Sequence, residues 1–324
     1  MPTSGPISIR DYNNANGFSS SATSSMNDSA FRRIAGKSSG SVSLYDTYGK
    51  YATFFVNIGS PGANSFNVNL RDLYVQAGGP TSVVAYVQFN VLGNIGSNSA
   101  DLPALTTGSG WPSGSTLILN VPPVNTSDNN PSVGVIAGAG GKGGLEYRFF
   151  LFNREEKEIT NPGNGGTAIN LEYNLNVINQ GVIGGGGGGG LSFYHRVCER
   201  RSIFLLKCKL ASLLGYANDR TKFGLEGLPS LVSGAGIISE SASIPIPRET
   251  TIMTSTPGSY LAGATITDGG SRFVHAGDLG SPGCKYDFAK TDPNGFVSSG
   301  GVAIKTNGYS VSVNGTGSVR GAIT

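Results

Sequence analysis

Every histidine and cysteine in the chain lies between residues 195 and 284, as His195, Cys198, Cys208, His275 and Cys284. Imidazole and thiolate are the ligands of tetrahedral zinc sites, and a metal clip would suit a segment with little core of its own. The spacing matches no standard finger, so buried free thiols and ordinary histidines, with no metal, are the expectation. A Cys198–Cys208 disulfide is the other chemistry open to this set, provided the chain matures outside a reducing cell.

Hydrolysis of a polysaccharide would need two carboxylates across a groove, about 5 to 10 Å apart. The candidates Glu240, Asp278 and Asp287 sit in loop-like contexts, and the "REEKE" cluster from Arg154 to Glu158 reads as a solvated face or turn. There is no G-x-S-x-G, no H-E-x-x-H and no P-loop, and the glycine runs lack the Lys-Ser/Thr of a phosphate cradle. Neither catalysis nor a cofactor is expected.

Aromatic residues beside positive charge could do recognition instead. Phe193, Tyr194, His195, Arg196, Arg200 and Arg201 follow directly after a run of seven glycines. Rings stack on sugar faces, and guanidinium engages phosphates or acidic sugars. The same residues also fit an amphipathic element that packs its apolar side inward, with the arginines merely solvating it.

What positions them is the glycine run itself, Gly184, Gly185, Gly186, Gly187, Gly188, Gly189 and Gly190. A related run holds Gly138, Gly140, Gly141, Gly143 and Gly144, and "VGVIAGAGGKGG" shares with "QGVIGGGGGGG" the order Gly-Val-Ile followed by glycines. Extended glycine helices pack side by side because only Gly lets backbones approach closely enough to hydrogen-bond. The runs are therefore expected as polyglycine II-like rods, against the alternative of a flexible linker. A second repeat sets "GGTAINLEYNLNVINQG" (165–181) against "GGVAIKTNGYSVSVNGTG" (300–317), with Ala168 and Ile169 matching Ala303 and Ile304. Recurring units suggest layers, but spacings this uneven fall short of a solenoid.

Composition supports an ordered, mainly β protein. Glycine is 50 of 324 residues against an average of about 7 %, while charged residues are only 13 %, too few for ordinary charged disorder. The net charge of +3 forms no basic stripe, so no nucleic acid is expected as partner. No secretion signal opens the chain, and no apolar run reaches the roughly 20 residues of a membrane span, so neither a signal peptide nor membrane insertion is expected.

The first fifty residues read as a small module. It has an extended apolar patch at Ile7 and Ile9, a short helix capped by Asn27 or Ser29 and stopped at Gly36, and a strand-like end, "SGSVSLYDTYGK". Such a helix is too short to stand alone, so the module should fold on the rest of the chain or on a partner. Residues 51 to 135 read as short strands, including "SFNVNLRDLYV", with Trp111 capping a core. In the basic stretch 191–226, "IFLLKCKLASLLG" reads as a helix closed by Gly215 or a strand turning there, and the chain ends as a hairpin near Asn314-Gly315.

"SGPISIRDYN" followed by "SAFRRIAGKSSGSVSLYDTYGK" is similar to the opening module of many tail-tip and tail-fibre proteins of tailed bacteriophages. "GSGWPSGSTLILN", "GVIAGAGGKGG", "GGTAINLEYNLNVINQGVIGGGGGGG" and "GYSVSVNGTGSVRGAIT" resemble the glycine-rich tip domain that often follows it. The resemblance implies a non-catalytic adhesin of the distal tail, made in the host cytoplasm and carried on the virion. Its implied partners are other tail proteins, either a baseplate hub or a fibre, and a host surface glycan or outer-membrane protein. A homotrimer is the implied candidate assembly, because symmetry hides open β edges and glycine layers. The alternative role is a structural plug or adaptor joining baseplate or tail tube to a fibre. The departure from the family lies in residues 191 to 300, where a basic, cysteine-bearing insertion replaces further glycine stretches.

The expected organisation is a docking module at 1–50, with Ile7, Ile9, Phe31, Ile34, Leu44 and Tyr48 as its contact residues and removable without unfolding the remainder. After it come a β-sandwich-like domain at 51–135, a glycine-rich layer at 136–191, a distal insertion at 192–250 and a C-terminal β region at 251–324 that returns to the layer.

Overall fold

The structure is a computed structural model of the 324-residue chain that describes residues 7–16, 19–35, 37, 39–47, 53–124, 132–151, 154–200, 206–214, 253–256, 265–268, 272–275, 277–284 and 296–324. Tyr48, Gly36, Arg201, Gly215, Glu240 and Asp287 lie outside these residues.

The N-terminal segment differs from its extended reading. Ser8 caps helix α1 (Ile9–Ala15): its Oγ accepts from Asp11 N–H at 3.3 Å, while Asp11 Oδ2 accepts from Ser8 N–H at 2.8 Å. This reciprocal box satisfies two backbone donors at the helix start and so selects helix over strand. Helix α2 (Ser29–Ala35) begins after Asp28, whose carbonyl accepts from Arg32 N–H at 3.0 Å. The strand-like end is instead a 3-10 turn, Leu44–Thr47, in which Asp46 Oδ2 accepts from Ser43 N–H at 2.7 Å.

The remainder winds as a parallel β-solenoid of five rungs with three faces. The first rung holds β1 (Thr53–Ile58), β2 (Asn64–Phe66), β3 (Val68–Asn69) and helix α3 (Leu70–Gln76). The second holds β4 (Tyr86–Val91), β5 (Asn94–Gly96) and β6 (Leu105–Thr106). The third runs through β7 (Thr116–Val121) and β8 (Val135–Ala137), departs into β9 (Gly144–Leu151) and β10 (Arg154–Thr160), and returns as β11 (Ile169–Asn170).

The fourth holds β12 (Leu175–Asn179) and β13 (Val182–Gly184) before a longer departure. That departure contains β14 (Leu191–Arg200), β15 (Leu206–Leu214), β16 (Met253–Thr256), β17 (Thr265–Asp268), β18 (Arg272–His275), β19 (Gly283–Cys284) and β20 (Phe296–Ser298). The rung closes with β21 (Ile304–Lys305), and the fifth holds β22 (Val311–Asn314) and β23 (Ser318–Arg320), with a bridge from Ile323 back to Ile304.

The first face has the order β1-β4-β7-β12-β22, the second β2-β5-β8-β13-β23 and the third β3-β6-β11-β21. Pairs within each face are parallel. Parallel stacking puts like residues on like, and the core is built of such columns: Val56, Phe89, Leu119, Val177 and Val313 on the first face; Ile95, Ile136, Ile183 and Val319 on the second; Leu105, Ile169 and Ile304 on the third. Outside, Asn57, Asn90 and Asn120 form a matching row, with Asn120 Nδ2 donating to Asn90 Oδ1 at 2.8 Å.

Residues 51–135 are therefore not a sandwich. Their strands pair in parallel with one another and, through β6 and β7, with β11 and β12 further along the chain, and two-residue hairpins cannot connect parallel strands. The recurring units do form a solenoid, because their uneven spacing is absorbed by departures that leave a rung and return to it. Both repeats coincide with stacked register: Ile169 lies on Ile304, and Val182 and Ile183 lie on Val135 and Ile136. The chain end is likewise no hairpin, since β22 and β23 lie in different faces and Asn314-Gly315 is a corner between them. Gly315 holds φ 118° there, where a Cβ would stand 2.1 Å from Asn179 O.

In "SFNVNLRDLYV" the strand stops at Asn69, whose Oδ1 accepts from Arg71 and Asp72 N–H and starts α3. Trp111 is buried as expected, with its Nε1 donating to Thr107 O at 2.9 Å and Arg71 stacked 4.7 Å from its ring. Tyr12, Phe31 and Ile34 from the N-terminal helices join the solenoid's own core cluster.

Candidate functional site

The two glycine runs leave the second face side by side, one from β8 and one from β13. Gly138, Gly141 and Gly144 N–H donate to the carbonyls of Gly184, Gly187 and Gly190 at 3.0, 2.8 and 2.9 Å. Bonds to one neighbour thus recur every third residue, whereas a β-strand repeats every second.

The intervening groups turn to other segments. Gly186 and Gly189 donate to Gly166 O and Gly163 O at 2.8 and 2.9 Å, Gly188 to Ser281 O at 2.9 Å and Gly185 to Arg320 O at 3.1 Å. Carbonyls of the same run accept from Gly277, Gly280 and Gly301 at 2.7, 2.6 and 2.6 Å. Residues 181–190 are all buried, so these partners are what makes a buried polar backbone tolerable.

Backbone, not side chains, sets the spacing. A Cβ on Gly186 would stand 1.8 Å from Ala139 O, one on Gly189 1.8 Å from Lys142 O, and one on Gly165 1.8 Å from Gly186 O. Sequence reading named two runs as rods; it placed 161–166 within the layer and expected 251–324 to return to it, but did not single out 161–166 or 277–283 as the segments that pack on the runs. Their signal was glycine at intervals of three, Gly163 with Gly166 and Gly277 with Gly280 and Gly283, which is the period of the bonding. Leu279 of the latter segment closes over Val135, Ala137 and Val182 on the outside of the second face.

The central pair of glycine segments then passes without a turn into a four-stranded sheet of order β10-β9-β14-β15. Leu191 lies beside Gly144, and β14 runs parallel to β9 with unbroken register to Val197 beside Phe150. The "REEKE" cluster is part of β10, antiparallel to β9, rather than a turn. "IFLLKCKLASLLG" resolves to strand: its described part is β15, antiparallel to β14.

Tyr194 lies between Tyr147 and Leu213, His195 between Arg148 and Ser212, Arg196 between Phe149 and Leu210, and Arg200 opposite Leu206. Alternate residues of a strand belong to opposite faces. Phe193 and His195 therefore share one face, and Tyr194, Arg196 and Arg200 the other, so the expected group is not a single surface. Tyr147, Arg148 and Phe149 are neighbours that sequence reading missed, signalled by the alternation in "GLEYRFFL".

Alternation also divides the candidate metal set. His195 and Cys198 are three residues apart on one strand and so lie on opposite faces, and they cannot serve one centre. Cys198 is instead directly opposite Cys208. Of the candidate carboxylates, Asp278 is half-buried in a turn, its carbonyl accepting from Ser281 N–H at 2.8 Å.

Of the expected docking residues, Phe31 and Ile34 are buried against the solenoid, while Ile7, Ile9 and Leu44 remain half-buried. Phe31 and Ile34 thus hold the module to its own chain.

No curated protein matches the chain. Among solved structures it is similar to the gp37-gp38 adhesin tip complex of the bacteriophage S16 long tail fiber, at 17% identity and TM-score 0.49, over 99% of this chain and 100% of that one. The profile of the phage tail fibre adhesin Gp38 family matches residues 53–324, which is most of the sequence and nearly all of the solenoid, its glycine bundle and the sheet mounted on it, and the chain belongs to that family of phage tail fibre adhesins.

Proposed function

We propose that this adhesin touches its host through the sheet that crowns the glycine bundle, on the face shared by Tyr147, Tyr194 and Arg196. One continuity supports the reading: both inner strands of the sheet prolong glycine segments whose backbones are locked on several sides, so the sheet stands on a stiff mount. The bundle is read as polyglycine II, since its bonds recur every third residue and its approach distances exclude a Cβ. Run 184–190 is enclosed by segments of the same chain, so burying it needs no symmetry mate.

The proposed face pairs Tyr147 with Tyr194 and Phe149 with Arg196 across adjacent strands. Rings and a guanidinium in one row suit a surface sugar or the rim of an outer-membrane protein. This is binding without catalysis, at the distal end of the virion tail. The N-terminal cap on the first rung is the proposed dock onto the fibre, through Ile7 and Ile9 together with Tyr45, which is 83% exposed, while Leu44 packs against the solenoid core.

The test is saturable binding of the purified chain to intact host cells, with circular dichroism as the control for folding. The double substitution Tyr194→Ala and Arg196→Ala is expected to weaken binding by about tenfold or more, while Phe193→Ala with His195→Ala has a smaller effect. Parent-like binding by the first pair, or a larger loss with the second, would overturn the assignment of this face.

A further inference from the structure

We infer that Cys198 and Cys208 form a disulfide that staples the β14–β15 hairpin in the assembled particle and is open while the chain is made. The two residues are direct partners in an antiparallel pair, flanked by Val197 opposite Lys209 and Glu199 opposite Lys207. The bulge in this pairing falls between His195 and Arg196, clear of the cysteines. Direct partners in an antiparallel pair share one face and hold their Cα atoms about 4.5 to 5.5 Å apart. A disulfide needs about 4.4 to 6.8 Å.

Only three cysteines occur in 324 residues, and two of them take facing positions while Cys284 lies on β19. The staple has a physical use. β14 is held in register by β9, so a slip of one residue at the β14–β15 pairing would move every residue of β15 to the wrong face, and a covalent tie between facing positions forbids it.

The redox step follows the compartments a phage chain crosses. Thiols stay reduced in a bacterial cytosol and oxidise on released particles. With a low-molecular-weight disulfide such as glutathione disulfide as oxidant, one cysteine thiolate attacks a glutathione sulfur and expels one glutathione thiolate. The second cysteine thiolate then attacks the protein sulfur of that mixed disulfide, forming the Cys198–Cys208 bond and expelling the second glutathione. Two protein thiols and one glutathione disulfide thus become one protein disulfide and two glutathiones.

The experiment uses the folded, full-length chain. It is equilibrated with glutathione disulfide, alkylated without reduction, digested with trypsin and mapped by mass. The expected result is a fall from three titratable thiols to one, with the Cys198 peptide linked to the Cys208 peptide, Cys284 alkylated, and full reversal by dithiothreitol. The same link is expected in released virions and absent from chains trapped by acid in infected cells. Three persistent thiols, a link involving Cys284, or a chelatable zinc protecting unlinked thiols would each overturn the inference. Binding of oxidised and reduced chain to host cells is measured alongside: a link that forms without changing binding leaves the staple standing and counts against the proposed contact face.

Discussion

A single methyl group separates a glycine that can be replaced from one that cannot. At Gly163 an added Cβ would meet Lys142 Cγ at 3.1 Å and Lys142 N at 3.2 Å, a crowding that a small shift relieves. At Gly186 it would stand 1.8 Å from the carbonyl oxygen of Ala139, which belongs to a segment hydrogen-bonded on both sides and has no flexible end to move. Gly186→Ala is therefore expected to cost about 3 kcal/mol or more, at or beyond the upper range of core overpacking, with a clear fall in melting temperature. Gly163→Ala should lie within about 1 kcal/mol of the parent, because the lost unfolded-state entropy offsets the crowding. Equal melting temperatures for the two variants would show that the bundle is looser than its bonding implies.

Short elements here are decided by single side chains. The turn Leu44–Thr47 replaces an expected strand because Asp46 can satisfy Ser43 N–H and reach Lys37 Nζ at 2.9 Å. The bond to Lys37, then that from the Ser43 backbone, lowers the Asp46 carboxyl from 3.8 to about 2. A carboxyl with a depressed folded-state value stabilises the fold above its unfolded value, and that contribution disappears as pH falls through the folded one. The tie's contribution to stability is thus expected to be full at pH 5 and to fade between pH 3.8 and about 2, where the carboxyl itself becomes half protonated. A carbon-13 titration of the Asp46 carboxyl should show a midpoint near 2 in the parent and a higher one in Lys37→Ala; an unshifted midpoint in the parent would mean that the ion pair does not persist in solution.

The whole molecule is held by stacking, and a stack must be closed at its ends. Tyr12, Phe31 and Ile34 are buried in the same cluster as Phe54, Val87 and Phe89, so the N-terminal module caps the solenoid. Each large side chain buried there contributes about 1.5–3 kcal/mol. Deleting residues 1–47 is accordingly expected to lower the melting temperature and expose an apolar surface that binds a dye such as ANS. This revises the expectation that the module could be removed from an intact remainder, and it directs tests of fibre docking to surface substitutions such as Tyr45→Ala. An unchanged melting temperature after deletion would mean that the cap adds nothing to the solenoid.

Composition and local pattern were enough to establish a mainly β chain, to place Trp111 in a core and to single out the units that recur. Those readings depend on residue type and near neighbours, which a sequence states outright. The phage resemblance was legible for the same reason, in motifs such as "GVIAGAGGKGG" whose order survives in the chain. What joins Ile169 to Ile304, or Gly186 to Gly166 and Gly301, is register across long separations, and only the tertiary structure decided it. The same strand pairing split Tyr194 and Arg196 from Phe193 and His195 and set Cys198 against Cys208. A strand's own residues define its two faces, but which partner lies beside it depends on the free energy of the whole stack.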